Sequence, residues 1–166
     1  MLKLSKQSSK ASKRTPTEMA RSFLTDSEAF LDAAKIIERS NEVAASGPKY
    51  YLACQAIELI LKAFILNNGG ADNELRKIGH DLSKAWSRAT ELGLSPIDGR
   101  VEELIEMLTP YHLDHRFRYR QTGFLTLPVS DEMCEIIGNL VAQIGPEVNR
   151  AMKAEIQAKR NFQGRA

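Results

Sequence analysis

"YYLACQAIELILKAFILNNGG", residues 50–70, is apolar on nearly every side of a helical wheel and closes on Asn67, Asn68, Gly69 and Gly70, residues that tolerate the left-handed conformation of a helix end. A helix with so little solvent face belongs in the middle of a bundle, packed on several neighbours. Pro48 suits its first turn. The exceptions Gln55, Glu58 and Lys62 fall at i, i+3 and i+7 and make one polar stripe. Two readings of that stripe are open: an i, i+4 ion pair of Glu58 with Lys62 at a helix seam, or Glu58 as the charge that holds an arginine of a distant loop.

Working outward, "TPTE" at 15–18 sets Thr15 as N-cap, Pro16 at the first helical position and Glu18 three after the cap, a capping box. Met19, Phe23, Phe30, Leu31, Ala34 and Ile37 then recur at helical spacing. Beyond the central helix, "HDLSKAWSRATEL" at 80–92 predicts a short helix with Leu82, Ala85, Trp86 and Ala89 inward, ended by Gly93, with His80 at its entrance. "SPID" at 95–98 opens the next, whose inner face is Val101, Leu104, Ile105, Leu108 and Tyr111, running to about Leu113. The last helix opens at "PVSDE", 128–132, with Ser130 as cap and acids in the first turn. Met133, Ile136, Ile137, Leu140, Val141, Ile144, Val148 and Met152 continue its stripe, and Pro146 predicts a kink. The fold class is all-α: an up-and-down bundle of about five helices, with room for a short β-hairpin between the fourth and fifth.

The 166 residues suit one domain, and 43% hydrophobic residues, before glycine is added, match a globular chain. Lysines and serines occupy the start where a signal peptide would be apolar, and no charge-free apolar run reaches ~18 residues. The expectation is a cytoplasmic protein with no membrane contact. Cys54 and Cys134 both lie in helical apolar patterns, so neither a disulfide framework nor a thiolate metal site is indicated. The net charge of +2 conceals a sorted distribution: residues 1–14 carry +5 and residues 150–166 carry +4, leaving −7 between them. An acidic body repels polyanions, so any site for one is local. The expected division is a basic arm at 1–14, a bundle at 15–157 and a basic tail at 158–166.

The candidate for such a local site is "HRFRYRQTG", residues 115–123. If 116–120 are extended, the period of two puts Arg116, Arg118 and Arg120 on one face and Phe117 and Tyr119 on the other. "QTG" followed by "FLTLP" then reads as a turn and a second strand, anchored through Phe117, Tyr119 and Phe124. Guanidinium groups bind phosphate bidentately, which is a chemical reason to cluster them. The alternative is that they neutralise acids such as Asp114, Glu102 or Glu106. His112 and His115 share the preceding helix end, but without a carboxylate or cysteine at matching spacing they do not make a metal site. No metal or other cofactor is expected.

Taken together, the central helix with its Gln55, Ala56, Glu58, Lys62, Ala63 pattern, the His80–Asp81–Leu82 helix start and the Arg118–Tyr119 pair resemble the HEPN superfamily over roughly residues 20–150. The resemblance implies a helical bundle, commonly a homodimer, from prokaryotic defence and toxin–antitoxin systems, whose active members cut RNA without metal. The family's ribonuclease signature, an arginine followed after four to six residues by a histidine, is missing: only three residues separate Arg76 from His80. The resemblance therefore implies a non-catalytic module that binds RNA, a nucleotide or a partner protein through Arg116, Arg118 and Arg120, with His80 and Glu58 beside them. The alternative is a metal-independent endoribonuclease using His80, His112 or His115 with Arg116 or Arg118.

Overall fold

The computed structural model describes residues 14–40, 46–119 and 126–163. Among these residues it is all-α, with six helices: α1 (Pro16–Ser40), α2 (Ser46–Asn67), α3 (Asp72–Ile78), α4 (Leu82–Glu91), α5 (Val101–Leu113) and α6 (Ser130–Gln163). The extra helix is α3, a two-turn element in what reads as a polar connection, where Leu75 and Ile78 are its only buried residues. So short a stripe is barely periodic.

α2 takes the central place, packing on α1, α4, α5 and α6. Its length and composition would also suit a bilayer, but 67% of its most apolar stretch is buried inside the bundle, as befits a core helix. The α1–α2 seam is the most extensive, and small residues explain why. Ala20, Ser27 and Ala34 of α1 and Ala53, Ala56 and Ala63 of α2 are all buried, and the Ser27 hydroxyl donates to the Ala56 carbonyl at 2.8 Å. The buried stripe of α1 is accordingly Ala20, Leu24, Ser27, Leu31 and Ala34, while Met19, Phe23 and Phe30 flank it half-buried.

The cap at Thr15 forms as expected: its N–H donates to Glu18 at 2.9 Å, and the Glu18 N–H returns a bond to its hydroxyl at 3.1 Å. Glu155 of α6 also accepts from Thr15, and Lys159 binds both Glu18 and Glu155. α6 thus runs helically past residue 157, fastened to the start of α1, and it continues through Pro146. The start of α5 falls later than "SPID" suggests, because Asp98 turns inward on the chain and accepts from the Arg100 N–H at 3.0 Å.

The expected strand at 116–120 does not form over its described part. The end of α5 is instead wound into a double-bonded C-cap: the Arg116 N–H reaches the Tyr111 carbonyl at 2.9 Å and the His115 N–H reaches His112 at 3.2 Å. His115 takes the left-handed position, φ 57°, that glycine usually occupies there. The Arg118 N–H then bonds back to the His115 carbonyl at 3.0 Å. The N–H groups of His115, Arg116 and Arg118 are thus bonded within the turn and not to a strand partner. Arg120, Phe124 and Leu125 lie outside the described residues.

Candidate functional site

Glu58 is the one charged side chain in the buried core among the described residues, 4% exposed, midway along α2. Its carboxylate accepts from Lys62 Nζ at 2.6 Å, from His112 Nε2 at 2.7 Å and from His80 Nδ1 at 3.0 Å. Lys62 also donates to the Gly79 carbonyl at 2.8 Å. Burial alone would push the Glu58 carboxyl up, but the bonds from His112, Lys62 and His80 outweigh it and hold the group down at about 2. An ionised carboxylate can only accept, so His80 must carry hydrogen on Nδ1 and His112 on Nε2. That leaves Nε2 of His80 for other partners, an acceptor in the neutral ring and an N–H donor in the imidazolium.

Local chain geometry brings these groups together. Gly79 adopts φ 62° and ψ −125°, a conformation open to glycine alone, and ends α3 so that His80 follows at once. Asp81 then caps α4 by accepting from the Lys84 N–H at 3.0 Å. His112 comes from the last turn of α5 and is buried, whereas the His80 side chain is 47% exposed. The C-cap carries His115 round to the same place: its ring meets His80 edge-on, with centroids 5.7 Å apart, and His80 meets His112 likewise at 5.9 Å.

The arginines occupy the rim. Arg116 lies over the Tyr111 ring at 5.8 Å and stands 3.5 Å from Asp114, both side chains being exposed. Arg118 lies over the Tyr51 ring at 5.1 Å. Among the described residues Arg118 forms no ion pair, and the acids Glu102 and Glu106 engage neither arginine. The tyrosine faces hold each guanidinium by cation–π attraction while leaving its N–H edges available. Phe117 is buried, stacked at 5.6 Å on Tyr50 and tilted at 5.6 Å against Tyr111, so it anchors the segment as expected. Tyr119 does not: it is 69% exposed, because a turn breaks the alternation that would have put both aromatics inside.

Of the two readings of the α2 stripe, the Glu58–Lys62 pair is the one that forms, and Glu58 holds histidines rather than an arginine. The arginines belong to the solvent side of the cap, while the last turn of α5 points His112 inward. One contributor, Tyr51, escaped sequence reasoning. Tyr51 lies seven residues before Glu58 on the same face of α2, a spacing that could have flagged it. Gln55, one turn before Glu58, has a buried Nε2 without a hydrogen-bond partner among the described residues.

Glu58, His80 and His112 offer ligand atoms within 4.8 Å of one another, a carboxylate–imidazole set that suits a metal by type. The details favour a hydrogen-bonded ion network. Ligands around a tetrahedral zinc stand about 3.3 Å apart, whereas His112 and Glu58 meet at 2.7 Å with a proton between them. Lys62 already supplies the cation that the carboxylate needs.

The model of one family, described as the HEPN domain, matches residues 20–145, a span from α1 into α6 that takes in Glu58, His80, His112, His115, Arg116 and Arg118. No curated protein and no solved structure matches the chain. With the family model covering most of its length and an all-α bundle beneath it, the chain belongs to the HEPN domain family.

Proposed function

We propose that the protein is an RNA-binding module whose phosphate clamp consists of Arg118, Arg116, His115 and His80. The observation that carries this reading is Arg118, an exposed guanidinium resting on Tyr51 without an ion pair among the described residues, at the end of the helix that delivers the histidines. A cation held on an aromatic face and left without an ion pair on an acidic body is arranged for an anion brought from outside, and Arg116, whose contact with Asp114 is exposed, stands beside it. Glu58 has a supporting part. It fixes His80 with Nδ1–H inward and so presents Nε2 outward, where the imidazolium form of the ring donates an N–H to a phosphate oxygen. The test is fluorescence anisotropy with a labelled single-stranded RNA. Arg118→Ala should weaken binding by about 1.5 kcal/mol or more, roughly tenfold, as expected of a charge-assisted bond. Affinity should fall steeply between about 50 and 200 mM salt. Full affinity in the Arg118→Ala and Arg116→Ala variants would refute the clamp.

A second reading rests on the Glu58–His80 bond together with His115 alongside. A carboxylate-oriented imidazole beside a second one is an acid–base pair. In RNA cleavage, Nε2 of neutral His80 would take the 2′-hydroxyl proton, and protonated His115 would give one to the departing 5′-oxygen, leaving a 2′,3′-cyclic phosphate. Incubating RNA with the protein in chelator separates the readings: cleavage lost in both His80→Ala and His115→Ala establishes the second, and intact RNA leaves the first.

A further inference from the structure

On the other side of His80 from α5 lies a pocket of about 260 Å³ between α1, α2 and α3. Phe23 and Leu75 give it an apolar wall, Asp72 and Arg76 a polar one, and Lys62 and His80 join it to the site already described. It is smaller than the ~300–1,000 Å³ typical of pockets for drug-sized ligands. One flat heterocycle fits such a space better than a whole cofactor does. The lining is mixed in chemistry: Lys62 and His80 come from the site already described, and Phe23 adds an aromatic ring from α1.

Arg76 sharpens the assignment. Its side chain is 79% exposed and pairs with Asp72 one turn earlier at 2.7 Å. A planar guanidinium at the edge of a pocket is chemically suited to stack on an aromatic ligand face. Phe23, half-buried on α1, offers a second face from a different helix. A planar ring linked to an anion is the shape of a nucleotide.

We propose that this pocket is a nucleobase subsite: the base attached to the phosphate held at His80 inserts between Phe23 and Arg76. The inference rests on the RNA-binding reading and adds to it where one base goes. Stacking recognises a base by its π-face and so tolerates any sequence, with purines favoured for their larger area. The rim arginines and the pocket then have separate tasks. Arg116 and Arg118 hold the backbone whatever it carries, and Phe23 and Arg76 respond to the presence of a base.

The experiment compares a labelled adenine hexanucleotide with the same backbone made of abasic tetrahydrofuran units, by anisotropy with the full chain. The ratio of the two affinities is the readout, since a change in overall charge moves both alike. The parent protein should prefer the oligonucleotide with bases by roughly tenfold, as expected for one stacked base. Arg76→Ala, at an exposed position that folding does not depend on, and Phe23→Leu, which keeps an apolar wall, should each reduce that ratio severalfold. Arg118→Ala should weaken both ligands and leave the ratio unchanged. A parent ratio near one, or a ratio untouched in both pocket variants while Arg118→Ala still weakens binding, overturns the subsite and leaves the RNA reading standing. A preference abolished by Tyr119→Ala overturns it too, because the base would then stack on that exposed ring. If neither oligonucleotide binds the parent protein, the subsite and the RNA reading fall together.

Discussion

Replacing Glu58 by glutamine changes one atom's worth of chemistry at the centre of the bundle, and its cost follows from the three donors around it. Lys62, His112 and His80 all direct N–H groups at the carboxylate, at 2.6, 2.7 and 3.0 Å. Glutamine keeps one accepting oxygen but sets an NH₂ against the remaining donors. Lys62, with a side chain only 12% exposed, loses its counter-charge and retains the Gly79 carbonyl at 2.8 Å. Breaking one side of a buried ion network costs about 3–5 kcal/mol. Linkage gives an independent figure: a carboxyl that moves from 4.5 to about 2 on folding contributes about 3 kcal/mol. The folded value is the lower one, so this contribution is complete above 4.5 and disappears as pH falls towards 2. Urea unfolding followed by fluorescence of the single tryptophan, Trp86, measures both effects. Glu58→Gln should lose about 3 kcal/mol at neutral pH, and its stability should decline less than the parent's across that acid window. A variant within about 0.5 kcal/mol of the parent, or one with the parent's full acid loss, would refute the claim that Glu58 is an ionised hub.

Phe117→Ala should cost about 3–5 kcal/mol by emptying the space between Tyr50 and Tyr111, while Tyr119→Ala at its exposed position should stay within about 0.5 kcal/mol; the same urea titration distinguishes them. His115→Gly relieves a left-handed non-glycine residue and should be neutral or stabilising by up to about 1 kcal/mol in that assay, while weakening RNA binding in the anisotropy assay if the ring belongs to the clamp. Burial pushes the Cys54 and Cys134 thiols up, so neither should react with an aromatic disulfide reagent until denaturant is added. Rapid labelling of either in the native protein would show that its helix opens.

The bundle was legible because its signals are short-range. A capping box spans four residues and an apolar stripe repeats every three or four, so α1, α2, α4, α5 and α6 could be placed from neighbours along the chain. α3 was not, since two buried residues make no period. The strand expected at 116–120 failed for a related reason. Alternation of Arg116, Phe117, Arg118 and Tyr119 is a real pattern, but the cap at the end of α5 had a prior claim on the backbone N–H groups of His115 and Arg116.

The residues of the candidate site were visible one at a time, and their relation was not. Glu58 meets His80 across 22 positions and His112 across 54, distances over which helical periodicity says nothing about which faces meet. The polar stripe on α2 announced that something charged had to lie against it; either arginines or histidines would have satisfied that requirement on paper. Composition and periodicity determined an all-α bundle around a central apolar helix and a cluster of exposed cations near residue 116. Only tertiary packing decided that a glycine turn at 79 and a left-handed residue at 115 would bring two histidines onto one buried carboxylate and a third against the ring of His80. Helix formation is settled by neighbours a turn away, whereas the partner of a buried charge is settled by whichever donors the packed helices carry to it.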